Sequence, residues 1–347
     1  MRMPSRGEPL EGSVVSRVSG AVEHRVLRAL PHGRSAAGTG LPSSLGVVLV
    51  GWDEERTARC VRILDRWLGT AARGRPVAAV LVDNSGALSE RTRVAFPGPS
   101  LRGSNDNGEF SGFDEGIAFL RQCGNVADAW LLLNDRFASY DDSYFQRFAA
   151  GAVDLAVRHS LAVGRLEPFP RPVRLAGQLR DWYIRTTFVL LPDVLLQAVG
   201  GSVSLVSATE WEGMVGSALP GPGQRPHITG VDPEWTAQVF DYLTDLSTDP
   251  AHRWYRAAAP TAANWPELRA KMRSIYLEHL LSARLSAAGA DLTELLLASF
   301  AASAGPGRVQ DEILAMRSSA PSAAAVRRSG SVRLRTLARV LGAGLRR

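Results

Sequence analysis

The sequence predicts an α/β protein with a mostly parallel central sheet flanked by helices and a helical C-terminal extension. Three observations carry this. Short, almost wholly apolar runs recur at 45–53, 76–86, 128–136 and 160–168, and an apolar strand without alternation is one covered on both faces. An amphipathic stretch at 54–69 separates the first two runs, as a strand–helix–strand unit requires. The first three runs each close on a turn that holds an aspartate: Asp53, Asp83 and Asp135. In such sheets ligands bind in the crevice beyond the carboxyl ends of the strands, so these turns mark where to look.

In chain order, residues 1–43 are rich in Gly, Ser, Pro and Arg and read as a flexible lead-in, with a short helix near 21–30. "LGVVLVGWD" (45–53) is the first strand and "EERTARCVRILDRWLG" (54–69) the helix behind it, with Ala58, Val61, Leu64 and Leu68 on one face. "PVAAVLVDNSG", "DAWLLLNDR" and "SLAVGRLEP" are the second to fourth strands of this kind. Between them, "LRGSNDNGEFSGFDEG" spends Gly103, Gly108, Gly112 and Gly116 on a loop and the start of a helix. "QLRDWYIRTTFVLL" (178–191) reads as one or two amphipathic strands. "PDVLLQAVGG" is a short helix with a glycine stop. In "TEWEGMVGSAL" (209–219), Thr209 reads as the cap and Glu212 as its capping-box partner. The expected layout is an α/β domain over 44–230, a helical region over 231–320 and a basic amphipathic tail over 321–347.

Composition excludes several classes. The net charge of +6 is carried almost wholly by arginine, and Lys271 is the only lysine. With one lysine there is no G-x-x-x-x-G-K-[ST] phosphate loop. Cys60 and Cys123 have no Cys or His at ligand spacing, which argues against a structural zinc site and for a reducing compartment. No G-x-G-x-x-G links a strand to a helix, so a dinucleotide-dependent oxidoreductase is disfavoured. The basic cluster is confined to the tail, which disfavours nucleic acid as a partner. The first twenty residues hold no apolar core of the secretory kind and no run reaches membrane-spanning length, so neither a secretory signal nor a membrane span is expected. The expected location is the cytoplasm, with peripheral membrane contact through the tail arginines.

Four pieces, taken in order, resemble the family 2-like glycosyltransferases of the GT-A fold. "VVLVGWDEERTARCVRILDRWL" is similar to the opening strand and helix, "VLVDNSG" to the second strand and its Asp-Asn-Ser turn, "GEFSGFDEG" to the glycine-rich loop, and "AWLLLNDR" to the strand that carries a metal-binding Asp-x-Asp. Together they span about 45–220. The resemblance implies a nucleotide-sugar donor and a glycan or lipid-linked acceptor. It implies donor contacts from Asp53, Asp83, Asn84, Asn105, Gly108, Gly112 and Asp114. Bland alternatives stand beside these: Asp53 caps the first helix, and Asp83 with Asn84 makes only an Asx turn.

Asn134-Asp135-Arg136 departs from the Asp-x-Asp pattern, because an arginine stands where the second acid belongs. Two readings stay open. Asp135, with Asn134, holds Mg2+ or Mn2+ against the diphosphate, or Arg136 itself neutralises it. The resemblance places the base that takes the acceptor proton at Glu210 or Glu212. Trp182 and Tyr183 are either an acceptor platform or core. The alternative to an inverting transferase is a non-catalytic relative with a degraded metal motif.

Overall fold

The computed structural model describes residues 42–299, apart from 71, 73, 141–147, 222, 245, 247–252 and 296–297. The N-terminal lead-in, the basic tail and Asp141–Asp142, which the sequence offers either as a helix cap or as further metal ligands, lie outside the described residues. The strands are β1 (Leu45–Gly51), β2 (Val77–Asp83), β3 (Ser100–Arg102), β4 (Ala129–Asn134), β5 (Leu161–Leu175), β6 (Gln178–Pro192) and β7 (Asp291–Glu294). They form one seven-stranded sheet in the order β3-β2-β1-β4-β6-β5-β7. Among the described residues the β4–β6 and β5–β6 pairings are antiparallel and the others parallel. The mostly parallel sheet flanked by helices is therefore the fold of this chain.

The helices are α1 (Glu54–Thr70), α2 (Glu90–Ala95), α3 (Glu109–Gln122), α4 (Phe137–Tyr140), α5 (Gly151–His159), α6 (Asp193–Ala198), α7 (Ala208–Val215), α8 (Pro233–Leu243) and α9 (Trp265–Ala287). Alternate residues of the apolar strands feed two cores, which is why the strands need no polar face. Leu45, Val47 and Leu49 pack with Cys60, Leu64 and Trp67 of α1 and with Ala152 and Ala156 of α5. Val48, Val80 and Leu132 pack with Phe113 and Ile117 of α3 and with Leu277, Leu281 and Leu285 of α9. The face of α1 is set by Thr57, Cys60, Val61, Leu64 and Trp67, one step round from the expected stripe. A third cluster gathers Trp211, Trp235, Trp265 and Met272 where α7, α8 and α9 meet. Among the described residues no helix is long and apolar enough to cross a membrane.

Two elements differ from the reading of the sequence. Residues 291–294 sit in a region expected to be helical, yet they form β7 and pair in parallel with Leu161–Gly164. The fourth strand continues to Leu175 and turns straight into β6, making a long hairpin. Its two-residue turn is Ala176-Gly177, with φ of 48° and 77°, the left-handed pair that matches strand twist. Propensity misses it because alanine rarely holds that conformation.

Close helix–sheet contact explains one of the conspicuous glycines. A Cβ on Gly116 would lie 2.4 Å from Val48 Cγ1 and 3.2 Å from Val80 Cγ1. Val48 belongs to β1, between two paired strands, and its branched side chain turns poorly. Overpacking costs about 1–3 kcal/mol, against a gain of about 1 kcal/mol for alanine over glycine in a helix. Gly116→Ala is expected to lose up to about 2 kcal/mol of stability in a denaturant titration.

Candidate functional site at the carboxyl edge

The register brings the strand ends to one border. Gly51 pairs with Asp83, Val50 with Asn134 and Asp83 with Arg102. Asp53, Asp83, Asn84, Asn134, Asp135 and Arg136 therefore share the carboxyl edge of β1, β2 and β4, as the sequence predicts. Because α3 starts beside the same edge, Asn105 and Gly108 join them. Asn105, in the left-handed region at φ 61°, accepts from Trp52 Nε1 at 3.2 Å. Asn84 Nδ2 donates to the Gly108 carbonyl at 2.9 Å. Gly108 is the N-cap of α3 with φ 61° and ψ −133°, and no neighbour stands within 4 Å of where its Cβ would be. Backbone conformation, then, is what requires glycine there. Gly112 is spent on packing: its Cβ would stand 2.9 Å from Val50 and 3.1 Å from Asn84 Oδ1.

Several expected donor contacts turn out to be occupied within the protein. Asp83 is 3% exposed; its carboxylate accepts from Ser85 Oγ, the Gly86 amide and the Leu88 amide at 2.7–3.1 Å. It builds its own turn instead of facing outward. Asp53 accepts from the Arg56 amide at 2.9 Å and so caps α1. Asp114 lies within α3 and holds Ser202 Oγ and the Val203 and Ser204 amides at 2.7–3.0 Å, fastening a loop on the far side of the helix.

Asp135 departs furthest from its expected role as a metal ligand. It is 1% exposed, and Oδ2 accepts the Trp52 amide at 3.1 Å and the Asp53 amide at 2.9 Å. It thus latches the β1–α1 turn to the end of β4. Cys60 reinforces the latch, its Sγ 3.1 Å from the Asp135 carbonyl; burial pushes that thiol up to about 12, so it stays protonated and donates. Asn134 Oδ1 accepts the Arg136 amide at 3.0 Å. Among the described residues no group of three or more His, Cys, Asp or Glu side chains comes together to hold an ion. A divalent cation wants several oxygens in one concave place, and the donor set among the described residues does not fit it.

The expected bases are also engaged. Ser207, not Thr209, caps α7, and Glu210 is its capping-box partner, accepting the Ser207 amide at 2.7 Å. That bond holds the Glu210 carboxyl below its usual range, which makes it a weaker proton acceptor. Glu212 pairs with Arg269. Tyr183 packs against His279 and Phe169 rather than standing free as a platform.

A different acidic pair occupies the edge. β6 runs antiparallel to β4 with Phe188 level with Leu133, so Thr186 extends past the end of β4. The register of β5 against β6 slips between Gly164 and Arg165, leaving Thr186–Phe188 as extra residues. Bulges of this kind re-aim side chains. Here Thr186 meets α3 and α9. Its amide donates to Glu278 Oε1 at 2.6 Å, and its hydroxyl lies 3.2 Å from Glu278 Oε1 and 3.4 Å from Glu109 Oε1. Burial pushes the Glu278 carboxyl above its usual range and Glu109 adds to the rise, against the pull of Arg185 and the Thr186 amide. Both glutamates keep partial solvent exposure. Glu167, on β5, accepts from Tyr183 Oη at 3.1 Å and from Arg185 at 3.2 Å. The sequence carries one trace of this site: Glu278-His279 interrupts the apolar run Ile275–Leu281. His279 resolves as core, with Nδ1 accepting from Trp235 Nε1 at 2.9 Å and burial driving its pKa down to about 3.

No protein-family model matches the chain, and no curated protein does. Among solved structures it is similar to a 4-diphosphocytidyl-2C-methyl-D-erythritol synthase, at 16% identity and TM-score 0.30, over 45% of this chain and 78% of that one. It is also similar to a mannosyltransferase from Pyrobaculum calidifontis solved with GDP-Man and Mn2+, at 13% identity and TM-score 0.29, over 80% of this chain and 81% of that one.

Proposed function

We propose that this chain is a transferase that takes a nucleoside-diphosphate sugar and passes the sugar, with inversion, to a hydroxyl on a glycan or lipid-linked acceptor. What carries the reading is the juxtaposition of Glu278, Glu109 and Thr186 with the strand-end residues Asn84, Asn105 and Arg136 on one sheet edge. In the step proposed, the acceptor oxygen bonds to the anomeric carbon while the bond from that carbon to the diphosphate oxygen breaks. The acceptor proton goes to the Glu278 carboxylate, and the nucleoside diphosphate leaves. A carboxyl with a raised pKa is the stronger base at neutral pH, once ionised. Thr186 orients it through two hydrogen bonds. In this reading Asn84 and Asn105 contact the sugar and ribose hydroxyls of the donor.

A second reading, a binding protein without turnover, draws on the inward-turned Asp135 and the engaged Glu210 and Glu212. Calorimetry with UDP-, GDP- and dTDP-sugars, followed by donor hydrolysis without acceptor, separates them. Binding of one donor at micromolar concentration, with slow release of its nucleoside diphosphate, is the expected result. Binding without release favours the second reading. A flat titration across the panel defeats both.

A further inference from the structure

We infer that the carboxyl edge holds a diphosphate on Arg56 and Arg136, with the two guanidinium groups in place of a divalent cation. The cleft they share, with Ser139 and Tyr255, has a volume of about 230 Å3. A water molecule takes up roughly 30 Å3, so there is room for an anion of diphosphate size. Arg56 Nε is buried and makes no hydrogen bond. It lies 3.5 Å from Asp135 Oδ2 and 3.9 Å from Asp53 Oδ1, but those carboxylates already serve the amides of Trp52, Asp53 and Arg56. The Arg136 guanidinium has no ion pair or side-chain hydrogen bond among the described residues. Both arginines are fixed at their backbone: Arg56 by the Asp53 cap, Arg136 by Asn134 Oδ1.

The chemistry favours phosphate oxygens as the occupant. A guanidinium presents five N–H donors in a planar fork that pairs two at a time with such oxygens. A Ser hydroxyl and a Tyr hydroxyl in the same lining can donate as well. The oxygens a hard cation would need are turned inward, so positive charge here comes from side chains. Asp53 and Asp135 oppose the two arginines, and the four charges cancel before any ligand enters. Affinity should therefore be moderate and fall with added salt. The anion site stands on the cleft itself; only the assignment of its diphosphate to a nucleotide rests on the transferase reading.

The test is calorimetry of inorganic pyrophosphate into the full chain, once in EDTA and once with Mn2+. Binding is expected in EDTA, unchanged by Mn2+. Arg56→Gln and Arg136→Gln should each weaken it by about tenfold, the scale of one charge-assisted hydrogen bond lost. Arg174→Gln, on the β5–β6 hairpin, should change nothing. Thermal melts confirm that each variant folds. Binding that appears only with Mn2+ and ignores both substitutions overturns the inference, as does no binding, or equal weakening by Arg174→Gln. Parallel titrations of UDP, GDP and geranyl diphosphate assign the owner. Nucleotides that bind only with Mn2+, indifferent to the arginines, sink the inference and leave the transferase reading standing. Pyrophosphate that binds where nucleotides do not leaves the anion site and sinks that reading.

Discussion

Replacing Glu278 by Gln is expected to cut turnover by about 10²–10⁴-fold while leaving the protein at least as stable at pH 8. The two effects share one cause. Glu278 sits among Thr186, Glu109, Arg185, Tyr183 and Lys271, and burial raises its pKa above the ordinary 4.5. An acid with a raised folded pKa contributes stability that is complete below its unfolded value. That contribution is lost as pH climbs through the folded value. The wild type therefore carries a desolvated charge at pH 8 that glutamine does not, while glutamine's Oε1 can still accept the Thr186 amide. The melting temperature of Glu278→Gln minus that of the wild type should grow between pH 4 and pH 8. Turnover of the wild type should fall on acidification through the same interval, as the base takes up its proton. Melts at both ends of the range, with donor release followed across it, check both arms. A variant that turns over normally and melts lower at pH 8 would make Glu278 a structural carboxylate.

That pair was hidden from the sequence for a physical reason. The parallel half of the fold is local and repetitive: β1, α1, β2 and β4 announce themselves by apolar runs and by periodicity. The edge where they end follows from the alternation alone. The hairpin half is neither. Glu109, Thr186 and Glu278 lie 77 and 92 residues apart, and what unites them is a bulge in β6. A bulge leaves no mark on composition. Residue type alone also could not tell an aspartate that faces a ligand from one that closes a turn. Asp53, Asp83 and Asp114 all sit where a ligand contact was expected, and each is taken up by backbone amides a few residues or one helix away. Glu210 and Ser207 show the same limit. The capping box was legible as a motif, but its frame shifted by two residues once Ser207 offered a cap in extended conformation.

Asp135→Ala is expected to cost about 3 kcal/mol of folding stability, measured by denaturant titration in EDTA. The loss follows from what its carboxylate does. Two backbone amides, of Trp52 and Asp53, donate to one buried oxygen, and Arg56 stands beside it. Hydrogen bonds to an ionised acceptor contribute about 1.5–3 kcal/mol each, and a buried amide left without a partner bears the full cost of desolvation. Asp135→Asn should recover roughly half, because a side-chain carbonyl keeps both bonds but not their charge assistance. A residue that served only to hold a metal would behave in the opposite way. Removing a carboxylate from an empty ion site relieves repulsion, so the metal-free protein would be unchanged or more stable. The ordering wild type, then Asn, then Ala in chelator therefore separates a latch from a ligand without any assay of activity. The latch also sets where α1 begins, and with it the direction of Arg56.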